Sequence, residues 1–182
     1  MEIKDLPIDK TWTLFLDRDG VINKKIDNGY VRSWKEFEFL PGVKESLKVL
    51  SAIFTKIIIV TNQRGVGKGL MKEEELLEIH YKMEDAITLA GGRIDGIYYC
   101  TDLNDEGSTH RKPKPGMAFD AQKKFPEIDF SKSIIAGDSI SDMEFGKNLQ
   151  MITVLISDHQ VGNPHFQFKK LPEFALSLLQ LL

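Results

Sequence analysis

The chain has 182 residues, 42% of them hydrophobic, and a formal net charge of -3 with both signs mixed along its length. That size suits one domain spanning residues 1–182 around a buried core, and the charge balance argues against a nucleic-acid binder, which would be basic on one face. No apolar run approaches the roughly 20 residues of a membrane helix, the opening MEIKDLPIDK lacks the apolar stretch of a secretory signal, and the lone Cys100 allows no internal disulfide, so a cytoplasmic protein is expected.

Apolar, β-rich runs alternate with helical patterns. The first run, Thr11 to Leu16, ends in Asp17-Arg18-Asp19-Gly20. Residues 23–40 follow with no clear period and read as a long loop beside a site, too short for a cap domain. Pro41 can open a helix in which Val43, Leu47 and Leu50 keep the helical period. The second run, Lys56 to Val60, leads into Thr61-Asn62-Gln63 and then a glycine-rich stretch ending at Gly69. Lys72 to Ala90 carries Leu76, Leu77, His80, Met83 and Ile87 on one stripe, and Gly91-Gly92 stops it. The third run is Ile94 to Tyr99, with a shorter helix at Gly116 to Phe125. The fourth, Ser133 to Ala136, ends in Gly137-Asp138-Ser139, and Asp142 lies one turn into a helix from Ile140 to Leu149. The fifth is Ile152 to Ile156, and the apolar Pro172 to Leu182 docks as a last helix. Runs this short and apolar suit buried parallel strands, and the alternation predicts a three-layer, doubly wound α/β sheet.

Ligands of open α/β sheets gather outside the carboxyl ends of the strands. Asp17 and Asp19, two residues apart at a strand tip, face one cavity, and Gly20 lets the backbone turn sharply after them. Singly, Asp17, Asp19 and Asp138 could be caps or turn residues; their shared position at strand ends argues for a site. The glycines around Lys68 do not make a nucleotide loop. Gly69 stands where Ser or Thr is needed, and the dinucleotide fingerprint belongs after the first strand. The stretch reads instead as a flexible active-site turn. His80 reads as a packed or surface histidine, and Trp34 and Phe37 as packing residues.

FLDRDGVIN, VTNQRGVGKG, RKPKPGM and AGDSISDM, in that order, resemble the four motifs of the haloacid dehalogenase-like phosphatases. NGYV, FEFLPGV and DGIYYC extend the resemblance to the D,D-heptose 1,7-bisphosphate phosphatases, with the amino-terminal phosphatase domain of bifunctional histidine-biosynthesis enzymes a close relative. The resemblance implies a Rossmann-like sheet in the order 3-2-1-4-5 without a large cap. It implies Asp17 as nucleophile and Asp19 as general acid and then base. Mg²⁺ would lie on Asp17, Asp138 and the main-chain carbonyl of Asp19, with Asp142 and Ser139 behind them. Thr61, Asn62, Arg18 and Gly20 would contact the phosphoryl group, and Lys112 would neutralise its growing charge. Arg111 would grip the rest of the substrate through its planar fork.

One departure stands out. These phosphatases usually carry a structural zinc on three cysteines and a histidine between DGIYYC and RKP. Here the segment Thr101 to His110 is shorter; Cys100 keeps the first ligand position and His110 stands where the last cysteine would be, with Asp102 near. Structural zinc wants four ligands rich in sulfur, so zinc is not expected, and the loop would be held by its own Asn and Asp turns.

Three functions remain in view. The first is a phosphatase for D-glycero-D-manno-heptose 1,7-bisphosphate; the second acts on histidinol phosphate or another sugar phosphate. The third is a non-catalytic binding protein, disfavoured because every catalytic residue type is present. A monomer acting on a small phosphorylated metabolite is expected, with neither nucleic acid nor membrane as partner.

Overall fold

The structure, a computed structural model, describes residues 2–103 and 107–182. Its strands are β1 (Thr13–Leu16), β2 (Lys56–Asn62), β3 (Gly96–Cys100), β4 (Ser133–Gly137), β5 (Ile152–Ile156) and β6 (Phe166–Phe168). All pair in parallel, in the order β3-β2-β1-β4-β5-β6. The helices are α1 (Val43–Ile53), α2 (Arg64–Gly67), α3 (Glu73–Leu89), α4 (Gly116–Lys124), α5 (Ile140–Asn148) and α6 (Leu171–Ser177).

The two-residue alternation of strand side chains sorts the core into two layers. Leu14, Leu16, Ile57, Ile59, Ile134 and Ala136 face α1, α3 and α6. Phe15, Ile58, Val60 and Ile135 face α4 and α5. The central strands are buried on both sides, which is why they read as unbroken apolar runs. Among the described residues, no helix is long and apolar enough to cross a membrane.

Several elements differ from expectation. The strand order gains β6 beyond β5, paired from Val154↔Phe166 to Ile156↔Phe168. The stretch expected to be a flexible turn after β2 forms the single helical turn α2. The last helix ends at Ser177 and continues as a 3-10 turn, Leu179–Leu181.

Residues 23–40 form a loop whose neck is closed by main-chain bonds from Lys24 N to Glu38 O (2.8 Å) and from Leu40 N to Ile22 O (3.0 Å). Inside it Trp34 stacks on Phe37 at 4.9 Å, and Phe39 sets its edge against both rings. These aromatics pack on the core and hold the loop tip over the sheet's carboxyl edge.

The shortened segment after β3 is organised by Ser108. Its Oγ accepts from the N–H of His110 (3.3 Å) and of Arg111 (3.0 Å) and lies 3.7 Å from Cys100 Sγ. His110 turns its Nε2 to Asp120 at 2.9 Å. The bracing found is thus a serine hub; Asn104 and Asp105, the turn residues in mid-loop, lie outside the described residues.

Candidate active site

The parallel register brings the acidic motifs together. Leu16 pairs with Ala136, so Asp17 and Asp138 leave β1 and β4 side by side, and Asp17 N–H still donates to Ala136 O at 3.0 Å. Asp17, Asp138 and Asp142 each offer a carboxylate oxygen, all within 4.8 Å of one another. Beside them lies a cavity of about 210 Å³, walled by Asp17, Asp19, Lys25, Tyr30, Thr61, Asn62, Lys112 and Asp138 among others.

Lys112 is the counter-charge. Its Nζ lies 2.9 Å from Asp17 Oδ1 and 2.6 Å from Asp142 Oδ1, and donates to Val60 O at 2.8 Å. An ammonium has three donors, so all are engaged and none is left for a direct contact with a ligand. Burial works against its charge, but Asp142 and Asp17 outweigh it and hold the ammonium above its ordinary pKa. Asn62 fixes the main chain of this lysine: Oδ1 accepts from Lys112 N at 2.9 Å and Nδ2 donates to Lys112 O at 3.2 Å. Asn62, expected to hydrogen-bond the phosphoryl oxygens, keeps its second amide hydrogen for such a ligand.

Asp142 is fully buried. Its Oδ2 accepts from Ser139 N (3.1 Å) and Ser139 Oγ (2.5 Å), while Ser139 Oγ caps α5 by accepting from Asp142 N–H. The same pair therefore starts the helix and aims Asp142 at Lys112.

Desolvation, with Asp142, Asp138 and Asp19 nearby, pushes Asp17 up to about 7 against the pull of Lys112. Asp138 is raised by desolvation, which Lys25, 3.0 Å from its Oδ2, partly offsets. Three crowded carboxylates served by two lysines, buried Lys112 and the more exposed Lys25, are short of positive charge. Asp138 Oδ1 is buried with no hydrogen-bond partner. An all-oxygen donor set with an unpaired oxygen fits a hard divalent cation such as Mg²⁺. Both oxygens of Asp142 are already engaged, so Asp17 and Asp138 are the side chains with capacity to ligate.

Gly20 was expected among the phosphate contacts; its N–H is spent on Asn23 O at 2.8 Å, and what the structure shows for it is a demand for space. It has φ +89°, and a Cβ there would lie 2.2 Å from Asp138 Oδ2. Only glycine combines that left-handed backbone with so close an approach.

Arg18 was also expected to contact the phosphoryl group, and the structure corrects this. Its side chain is fully buried, turned away from Asp17 by strand alternation. Nη2 donates to both Asp19 oxygens at 3.0 Å and to Gln63 Oε1 at 3.2 Å, and Nη1 lies 3.1 Å from His80 Nε2. Only the Arg18 main chain stays near the site, donating to Asp17 Oδ1 at 2.8 Å.

Asp19 thus points into a polar nest. Asn23 Nδ2 donates to Oδ1 and Gln63 Nε2 to Oδ2, each at 2.9 Å. Desolvation raises Asp19, but the Arg18 charge and these hydrogen bonds win and hold it below the usual carboxylate range. Gln63 and Asn23 were not singled out from sequence. Gln63 follows Thr61 by two residues and so shares its face; that spacing was the available signal. Gln63 also donates to Thr61 Oγ1 at 2.9 Å, leaving the buried Thr61 hydroxyl hydrogen for another acceptor. His80 is buried, and desolvation plus the Arg18 charge lower it to about 3.

Arg111 stands on the shortened loop, with Nη1 donating to Asp102 O at 3.3 Å. Lys68 Nζ lies 5.3 Å from the centre of the Tyr30 ring in the cavity wall; a hydrogen bond to Lys68 and the charges of Lys68, Arg64 and Arg111 hold the Tyr30 hydroxyl below its ordinary pKa.

Residues 13–167 match the family model described as polynucleotide kinase 3 phosphatase. The chain is 38% identical over 173 residues to a D-glycero-alpha-D-manno-heptose-1,7-bisphosphate 7-phosphatase of Mycobacterium tuberculosis, covering 92% of this chain and 91% of that one. It is 38% identical over 166 residues to a D-glycero-beta-D-manno-heptose-1,7-bisphosphate 7-phosphatase of Helicobacter pylori, covering 88% and 92%. Its fold is similar to that of a D,D-heptose 1,7-bisphosphate phosphatase from B. bronchiseptica complexed with magnesium and phosphate, with a TM-score of 0.82 at 29% identity over 93% of this chain and 98% of that one.

Proposed function

This chain belongs to the polynucleotide kinase 3 phosphatase family of haloacid dehalogenase-like phosphatases and is a phosphoric monoester hydrolase; on that premise we propose that it removes the 7-phosphate of D-glycero-D-manno-heptose 1,7-bisphosphate through a phosphoryl group carried on Asp17. The observation that carries the reading is the meeting of Asp17, Asp138 and Lys112 at the tips of β1 and β4, beside a cavity whose other wall holds Asp19.

Asp17 attacks phosphorus, and the bond to the sugar oxygen breaks as Asp19 delivers a proton to that oxygen. Asp19 must carry that proton into the step against surroundings that favour its carboxylate, and it returns to the favoured form on delivery. It accepts a proton from the water that attacks the phosphorylated Asp17, releasing phosphate and restoring the nucleophile. The Thr61 hydroxyl and the remaining Asn62 amide hydrogen donate to the phosphoryl oxygens, and Lys112 offsets their charge from behind Asp17. Asp17, Asp138 and the Asp19 carbonyl would hold Mg²⁺, which would supply the positive charge that lets a carboxylate meet a phosphate dianion.

A bisphosphate has a second anionic group to place. Lys68 over the Tyr30 ring, with Arg64 and Arg111 close enough for their charges to reach its hydroxyl, offers ammonium and guanidinium donors for it. The test is a panel of both heptose bisphosphate anomers, histidinol phosphate and other sugar phosphates, compared by kcat/KM with Mg²⁺ and with chelator. A preference for histidinol phosphate overturns the substrate assignment. Asp17→Asn should abolish turnover while leaving the fold intact; a variant retaining most of its rate refutes the nucleophile.

A further inference from the structure

Behind Asp19 lies a chain of buried side chains that the chemistry above does not use. His80 sits on the apolar stripe of α3 with Leu76, Ile79, Met83 and Ile87, yet its ring reaches out of that stripe to Arg18. Nε2 lies 3.1 Å from Arg18 Nη1. A guanidinium only donates, so Nε2 must accept and the ring proton must sit on Nδ1. The histidine is thus a neutral acceptor of fixed tautomer, in keeping with its burial.

Arg18 needs that acceptor. Its Nε is buried without a partner, so the guanidinium plane is fixed only through its two terminal nitrogens. Nη1 is fixed by His80; Nη2 straddles both oxygens of Asp19. Remove the acceptor and Nη1 becomes a second buried donor without a partner, which the chain relieves by rotating the guanidinium. Rotation moves Nη2, which with Asn23 Nδ2 and Gln63 Nε2 is one of the three donors that orient the Asp19 carboxylate, and the only charged one.

We propose that His80 is a positioning residue for the acid–base step: acting through Arg18, it holds the Asp19 carboxyl in the orientation that delivers the proton to the departing oxygen. This rests on Asp19 being the acid. The inference differs from a stability role because it makes the cost depend on the leaving group. A basic alkoxide needs the proton as its bond to phosphorus breaks; p-nitrophenolate leaves without one.

The experiment measures first-turnover release, by rapid quench with Mg²⁺ present, for p-nitrophenyl, phenyl and a primary alkyl phosphate. The first turnover isolates phosphoryl transfer from the later attack of water. His80→Phe keeps the bulk and removes the acceptor; His80→Gln keeps an acceptor. General acids contribute about 10²- to 10⁴-fold, so partial misplacement in His80→Phe should slow the alkyl phosphate about tenfold or more and p-nitrophenyl phosphate less than about threefold. His80→Gln should recover most of the alkyl rate. If the phenylalanine variant does not fold, His80→Asn, whose amide is too short to reach Nη1, should give the same rate ratio. Equal losses on all three substrates, no loss at all, or a glutamine variant as impaired as phenylalanine overturns the inference. Asp19→Asn separates the two layers: normal alkyl release in that variant sinks the acid assignment itself, whereas selective loss there with none in His80→Phe sinks only the role of His80.

Discussion

Replacing Lys112 by methionine tests the electrostatic heart of the site. The side chain is nearly isosteric, so packing changes little, but the one ammonium between Asp17 and Asp142 disappears. Those carboxylates lie 2.9 and 2.6 Å from Nζ, and Asp142 is fully buried. Breaking a buried pair by removing one partner costs about 3–5 kcal/mol, because an uncompensated charge is left behind. Against a typical total of about 5–15 kcal/mol this is a large fraction, and it corresponds to a fall in Tm of roughly 6–20 °C for a chain this size. The loss should depend on pH. Asp17 already titrates at about 7, and losing its cation raises it further. The folded variant then holds a proton that the unfolded chain, with an ordinary carboxylate, has released, so its stability falls as pH rises. Urea denaturation in chelator at about pH 5.5 and about pH 8 should show a wild-type-minus-variant gap that widens at the higher pH. A gap below about 1 kcal/mol at both values refutes the claim that Lys112 compensates buried charge.

Two further outcomes follow from the geometry. Gly20→Ala meets both a left-handed backbone and Asp138 Oδ2 at 2.2 Å, so it should displace Asp138, weaken Mg²⁺ binding by calorimetry and cut kcat at least about tenfold. Activity within about twofold of wild type contradicts the close-approach argument. His80, lowered in the fold to about 3, stays neutral while the unfolded chain protonates near the ordinary histidine value. Its contribution is complete above that value and is lost as pH falls, at about 1.4 kcal/mol per pH unit below roughly pH 6. Urea midpoints of wild type and His80→Gln from about pH 6.5 down to about pH 4.5 should converge; parallel curves rule out a buried neutral histidine.

Much of this arrangement is legible in the chain. Leu14 and Leu16 alternate with Phe15, and Ile57 and Ile59 with Ile58, so strands buried on two faces announce themselves as apolar runs. Polar residues immediately after such runs can only lie at the carboxyl edge. β6 was illegible because Phe-Gln-Phe has three residues, with Phe166 and Phe168 only half buried. The inward turn of Arg18 was legible in principle: the rule that puts Asp17 and Asp19 on one face puts Arg18 on the other. What no spacing rule gives is the distant partner. His80 comes from a helix 62 residues further on, and only the packing of α3 against the sheet brings its ring to Arg18.

The amide of Asn62 clasps the main chain of Lys112 from the end of β2, while the segment between Cys100 and Arg111 hangs from Ser108. The Lys112 main chain therefore has an anchor of its own, separate from the Ser108 hub of the loop that precedes it. Such a loop is a natural graft point. Its length and sequence can drift, or be exchanged by design, and reshape what the cavity mouth admits without retuning the machinery beneath.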